Sequence, residues 1–285
     1  MDVTEKATFW YGCNVLRHGD IIRGCIDLLR FVGIEAVPVG GPNYCCGSIK
    51  DANPVAGDGM AKRTVERMNQ KNNRRMIAWC PSCHLQMHNF MSKGYETNFE
   101  MDFLVEVLFE RRELLRPWLK VPVPLRIFLH RHVGFNQLVG INRMVPELLA
   151  MIPGIEIVPD SYRAPSYMCH ALGPHPTAMA AMLRHSEQTI HATSAEALVT
   201  IYHQCYRDLC GLERQGVTKV FNYIHLLARS AGIERPNEYM EWKNAGPEAE
   251  QLIGPERIGS MGGKPAFDRL IKAELLKLPI RRDQR

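Results

Sequence analysis

Cys45-Cys46-Gly47 is an uncommon tripeptide, and it stands between a lone Cys13 and a Cys80-Pro81-Ser82-Cys83 pair. These are five of the chain's nine cysteines. Thiolate sulfur is a soft ligand suited to zinc, copper(I) and iron–sulfur clusters. A Cys-x-x-Cys pair at a strand-to-helix junction presents two such ligands together, and the amides and dipole of the helix start stabilise their negative charge. Gly47 permits a tight turn after the adjacent pair. Adjacent cysteines cannot aim at one small ion in the same way, but they can serve different irons of a larger cluster. Five sulfurs also exceed the four that close a tetrahedral zinc site. The expectation is that the intervening chain folds to bring all five sulfurs to one point.

The elements that must do this follow from hydrophobic patterning. Residues 7–13 read as a short buried strand ending at Cys13, and residues 35–39 as a second strand that feeds the Cys45-Cys46-Gly47 turn. Residues 76–79 make a third, ending at Cys80, with a helix beginning at Pro81, a favoured first-turn residue. Ile21, Ile22, Cys25, Leu28 and Leu29 recur at helical spacing, with Gly33 as the stop, so Cys25 reads as a core residue rather than a ligand. Further helices are expected over 57–73 and around Phe103–Leu108. Strands alternating with helices imply an α/β fold with parallel strands. The cysteines then fall at strand C-termini, the edge where open α/β sheets bind ligands.

After the proline-rich break Val121–Pro124 the pattern restarts. Strands are expected at 126–130, 155–158 and 197–202, with helices at 138–150 and 176–191 and a segment at 221–227 that parallels 102–108. The chain reads as a duplication with a period of about 120 residues. The domains are expected at 1–120 and 121–240, followed by an extension at 241–285 with a short amphipathic helix near Phe267–Leu275. That extension either clasps its own domain or docks onto a partner.

The first motif resembles the cysteine-rich CCG domain, and the two-repeat layout over residues 7 to 230 is similar to the B subunit of heterodisulfide reductase. Its relatives include the heterodisulfide-reductase-like complexes of sulfur oxidisers. The resemblance implies two tandem CCG domains, each a small, mainly parallel sheet flanked by helices. It implies that Cys13, Cys45, Cys46, Cys80 and Cys83 hold one noncubane [4Fe-4S] cluster, and that the chain is an oxidoreductase subunit acting on disulfides or other small sulfur compounds. The implied partners are a ferredoxin-like iron–sulfur subunit, a flavin-containing subunit and a second B-type chain.

The second repeat departs from the pattern. Matching Phe128-x-x-x-His132 to Phe9-x-x-x-Cys13 puts His132 at the lone-cysteine position, with Val133 as the alternative register. Cys169-His170-Ala171, or Met168-Cys169-His170 if shifted, replaces the cysteine pair. Cys205 survives with Asp208 as its partner, and Cys210 reads as core. The favoured expectation is a pocket that keeps the fold and loses the cluster. The competing one is an altered metal site of His132, Cys169, His170, Cys205 and Asp208. Around the first motif, His84, Trp79 and Tyr44 read as structural, and His18 and Lys50 as candidates for proton or anion handling.

Composition narrows the rest. The chain has 285 residues, 46% hydrophobic and 23% charged, which is a soluble globular composition. No apolar run approaches the roughly 18–20 residues of a membrane span. A charged start without an apolar core argues against export, so a cytoplasmic home with reduced thiols is expected. The net charge of +5 includes Arg74-Arg75 and Arg111-Arg112 but no dense basic stripe, so nucleic acid is not an expected partner. No phosphate-cradling glycine motif is present, which leaves nicotinamide or flavin to a partner. The competing function is a non-catalytic one: an electron relay, or a zinc-stabilised docking subunit.

Overall fold

The computed structural model describes residues 5–48, 52–135, 138 and 140–279. Two four-stranded parallel sheets organise them. The first contains β1 (Glu5–Gly12), β2 (Ile34–Gly40), β3 (Arg75–Ala78) and β4 (Glu100–Phe103) in the order β2-β1-β3-β4. The second contains β5 (Leu125–His130), β6 (Ile155–Ile157), β7 (Ala197–Thr200) and β8 (Lys219–Asn222) in the matching order β6-β5-β7-β8. The fold is α/β, as the alternation predicts, and the duplication is visible in the two strand orders. In both sheets the chain leaves the first strand one way and returns on its other side. The crevice between those two central strands, at their C-terminal ends, is the natural site of an α/β sheet.

Central strands are buried on both faces, which is why they read as apolar runs. Ala7, Phe9 and Trp10 on β1, Met76, Ile77 and Ala78 on β3, and all of β7 are inaccessible or nearly so. The helix Gly19–Phe31 buries the expected stripe of Ile21, Cys25, Leu28 and Leu29, and Cys25 is core.

Three expectations need correction. The helix placed at 57–73 spans Pro54–Asn69, because the Asn53 side chain caps it by accepting from the amide of Ala56 at 3.0 Å and Pro54 occupies the first turn. The segments at 102–108 and 221–227 are each a strand running directly into a helix, β4 into Leu104–Glu110 and β8 into Tyr223–Ser230. Each strand is only four residues long with two apolar positions, too short for its period to stand apart from the apolar helix it enters, so the sequence pattern merges the two.

The two halves pack through the helices Gly19–Phe31 and Tyr223–Ser230. A Cβ on Gly24 would come within 2.9 Å of Ile224 Cγ2, so the helices approach at a glycine. Asp20 accepts from His225 Nε2 at 2.7 Å, and Arg235 reaches Asp27 at 2.5 Å across the same seam. The extension closes onto its own chain. Lys243 Nζ donates to the carbonyls of Glu274 and Lys277, both at 2.6 Å, and Arg214 donates to those of Lys243, Leu275 and Leu276. Arg17 of the first half pairs with Glu274 at 3.1 Å. Among the described residues, no helix is long and apolar enough to cross a membrane.

Candidate metal centres

The loops after β1, β2 and β3 carry the five cysteines of the first motif to one sheet edge. Cys46, Cys80 and Cys83 are buried, whereas Cys13 and Cys45 are partly exposed. Their thiols run in order of interaction from Cys13 through Cys45, Cys46 and Cys83 to Cys80. Two glycines make the approach possible. Gly12 has φ +85°, and a Cβ there would lie 3.0 Å from Cys80 Cβ and 3.2 Å from Cys83 Sγ. Gly47 has φ +74°, and a Cβ there would strike the carbonyl oxygen of Gly57 at 2.2 Å. The turn between them is held by Thr64 Oγ1, which donates to the Cys45 carbonyl at 2.7 Å, and by Trp10 Nε1, which donates to the Tyr44 carbonyl at 3.0 Å.

The electrostatics suit an anionic sulfur set. Hydrogen bonds from Cys13 and Cys46, then the amides of Gly47 and Ser48, hold the Cys45 thiol down at about 2 against its burial. Its neighbours absorb the opposite effect. Cys46 is pushed up to about 12, chiefly by Cys45, and Cys83 rises through Cys46 and Cys80. Cys80 is held well below an ordinary thiol, first by Cys83 and then, against burial, by His203. Five soft donors, cleared space at Gly12 and amides at Cys45 fit a cluster larger than one ion.

Other residues singled out near this motif have structural surroundings. His84 Nε2 meets His88 Nε2 at 3.0 Å and its ring lies against Phe103, and burial brings its imidazole down to about 4. Tyr44 sits beneath Arg67 and Lys71. His18 is fully buried between Tyr206 and Tyr239, and burial lowers it to about 3. Lys50 lies outside the described residues. His203 was not foreseen: it comes from the second half, is 1% exposed, and packs against Trp79 at 5.0 Å beside Cys80. Its only sequence signal is its place at a strand-to-helix junction.

The ladders correct the register of the second repeat. Trp10 pairs with Ala78 and His130 with Thr200. Ala78 and Thr200 each stand three residues before the start of a helix, at Pro81 and His203. Gly12 therefore corresponds to His132, Cys13 to Val133, Cys80 to Tyr202 and Cys83 to Cys205. The surviving Cys205 is thus the second cysteine of the pair, not the first, and Asp208 lies one helical turn beyond.

At this edge the structure brings together His130, His132, Cys169 and Cys205, all buried, with candidate ligand atoms within 4.8 Å of one another. It does not bring His170 or Asp208 with them. His170 is exposed and meets Arg207 Nη2 at 3.2 Å, and Asp208 pairs with Arg207 at 3.5 Å. His130, absent from the sequence-based set, is the last residue of β5 and is 2% exposed. Burial works against ionisation of Cys205, yet its contacts with Cys169 and with both histidines hold its thiol well below the ordinary value. Cys210 is core, as expected. The two edges face each other: Arg207 Nη1 donates to Asn14 Oδ1 at 3.1 Å, and Ser82 and Tyr167 hydroxyls lie 3.4 Å apart.

Comparison with known proteins now adds its part. Residues 7–88 match the family model of the CCG cysteine-rich domain. The match covers less than a third of the chain. CCG domains occur in redox-related iron–sulfur proteins, and together with the buried histidine–cysteine group the match supports metal-binding and iron–sulfur character. No curated protein matches the chain. Among solved structures, the Picrophilus torridus aspartate racemase is similar at 14% identity and TM-score 0.32, over 82% of this chain and 97% of that one. Allantoin racemase from Pseudomonas fluorescens is similar at 12% identity and TM-score 0.28, over 98% of this chain and 99% of that one. Likeness at these scores carries no argument about activity.

Proposed function

We propose that this chain is the iron–sulfur subunit of a heterodisulfide-reductase-like complex. Cys13, Cys45, Cys46, Cys80 and Cys83 hold one noncubane [4Fe-4S] cluster, which supplies redox chemistry toward a disulfide, thiol or related small sulfur compound. One observation carries the reading: five thiols from three strand-end loops interact in series at one sheet edge, over a glycine whose Cβ would crowd Cys80 and Cys83. The chain's own contribution is positioning and electrostatics. Amides of Gly47 and Ser48 stabilise negative charge at Cys45, and His203 does so at Cys80. Burial of Cys46, Cys80 and Cys83 keeps water from the inner side, while the partly exposed Cys13 and Cys45 leave the outer side open to substrate.

Electrons pass to or from a ferredoxin-like subunit, with flavin on a further partner and a second B-type chain supplying any second noncubane cluster. The reaction belongs in the cytoplasm, where thiols stay reduced. Anaerobic purification of the full chain, with iron, acid-labile sulfide and electron paramagnetic resonance measurements, tests the reading. About four irons per chain with matching sulfide are expected for a four-iron cluster. A colourless protein holding zinc in the five-cysteine site, without sulfide, refutes it and leaves the zinc-stabilised docking subunit. An intact cluster whose spectrum is unmoved by thiols and disulfides leaves the electron relay.

A further inference from the structure

We propose that the second half holds a single zinc ion, coordinated by His130 Nε2, His132 Nε2, Cys169 Sγ and Cys205 Sγ. The distances have the scale of one coordination shell. His130 Nε2 lies 3.1 Å from His132 Nε2 and 3.2 Å from Cys169 Sγ. His132 Nε2 lies 3.4 Å from Cys169 Sγ and 3.4 Å from Cys205 Sγ. A tetrahedral zinc with ordinary bonds to nitrogen and sulfur needs edges of about 3.3 Å between nitrogens and about 3.5 Å between nitrogen and sulfur. On these four edges the atoms need only move apart by a few tenths of an ångström, and the two remaining edges lie within 4.8 Å.

Hydrogen bonding within the protein does not account for this arrangement. His132 Nδ1 donates to the Pro165 carbonyl at 2.9 Å, so its Nε2 carries a bare lone pair aimed at the other three atoms. This is also the outer contact that orients a metal-bound histidine. Asn142 Nδ2 donates to the His132 carbonyl at 2.8 Å and fixes the backbone there, while the Cys169 amide donates to Cys205 Sγ at 3.3 Å. A proton on His130 Nε2 can serve one of its facing acceptors, whereas a cation satisfies all four groups together. Burial of every member leaves no open coordination position, so the site is structural rather than catalytic. A two-iron centre with cysteines on one iron and histidines on the other would draw the sulfurs away from the nitrogens. The interleaved contacts do not fit that division.

The ion would tie the loop after β5, the turn at Cys169 and the helix after β7 at the edge that faces the five-cysteine site. The test uses the full chain, purified anaerobically and equilibrated with one equivalent of zinc before desalting. About one zinc per chain is expected, with an X-ray absorption shell of two nitrogens and two sulfurs. The Cys169→Ser, Cys205→Ser double variant should retain at least about tenfold less zinc while its iron is unchanged. Cys46→Ser should lose iron and keep zinc, so failure here is separable from failure of the cluster assignment. Three results overturn the proposal: wild-type protein without zinc, a shell of four sulfurs, or zinc undiminished in a folded double variant. Should the double variant prove insoluble, the wild-type zinc content and absorption shell decide alone.

Discussion

The same sheet edge is built twice in this molecule and furnished differently each time. At the position two residues past Trp10 the first half has Gly12, with positive φ and no side chain, and the space above it is taken by Cys80 and Cys83. The second half has His132 there, and its imidazole Nε2 lies 3.4 Å from the sulfurs of both Cys169 and Cys205. Tyr202 replaces Cys80, and His130 replaces Trp10 in the adjoining core position. On the proposed readings, a missing side chain makes room for a many-atom cluster, whereas an added ring leaves room for one ion. The lesson is that one backbone sets where ligands converge, and side-chain volume sets how large a centre they can surround.

The largest expected effect breaks the first half only. Cys46→Ser should remove essentially all iron–sulfur absorbance, because a hydroxyl is a hard and weakly acidic ligand beside four soft sulfurs. Visible and paramagnetic resonance spectra check this, and the second half's metal should be untouched. A smaller effect follows from Gly12→Ala. The new Cβ meets Cys80 and Cys83 at a positive φ, so cluster occupancy should fall several-fold and stability by roughly 1–3 kcal/mol. Iron content and thermal unfolding measure both; an unchanged cluster would show that the glycine is not what clears the first pocket.

The seam between the halves should show a pH signature. Burial works against the Asp20 carboxylate, but His225 outweighs it and holds its pKa below the usual 3.8. A depressed carboxylate pKa stabilises the fold above its unfolded value and loses that stability as pH falls through the folded one. The wild type should therefore lose this contribution below about pH 4, whereas Asp20→Asn should lack it already at neutral pH and show a flatter acid limb. Unfolding midpoints against pH test it, and identical acid limbs would remove the pair from the account. The smallest effect on metal belongs to Cys25→Ser. It should leave both metals intact and cost about 1–3 kcal/mol for an unsatisfied hydroxyl in a fully buried position. Iron loss there equal to that of Cys46→Ser would mean that Cys25 is not merely core.

Much of the first centre is legible in the chain itself. The rare adjacent cysteines, the Cys-x-x-Cys pair and the glycines beside them are local signals, and strand-to-helix alternation follows from hydrophobic period. The parallel sheets and the core role of Cys25 were available on that basis. What local pattern cannot carry is register, because a parallel ladder is fixed by pairing between distant segments. A slip of one residue puts His132 opposite Cys13, and a slip of three makes Asp208 the partner of Cys205. The ladders Trp10 to Ala78 and His130 to Thr200 settle both. The brief strands β4 and β8 are hidden for a related reason, since four residues with only two apolar positions, entering an apolar helix, are too few to show a period of their own.

The sequence by itself therefore determined the cysteine pattern of the first half and the order of elements, both of which depend on residue type and near neighbours. Only the tertiary structure decided that His130 joins His132, Cys169 and Cys205, that His170 and Asp208 turn instead to Arg207, and that His203 reaches Cys80 from the other half. Apart from the near neighbours His130 with His132 and Arg207 with Asp208, those are meetings across 35 residues or more, such as Cys205 with His132 at a separation of 73, and they exist only once packed elements hold distant loops at one edge.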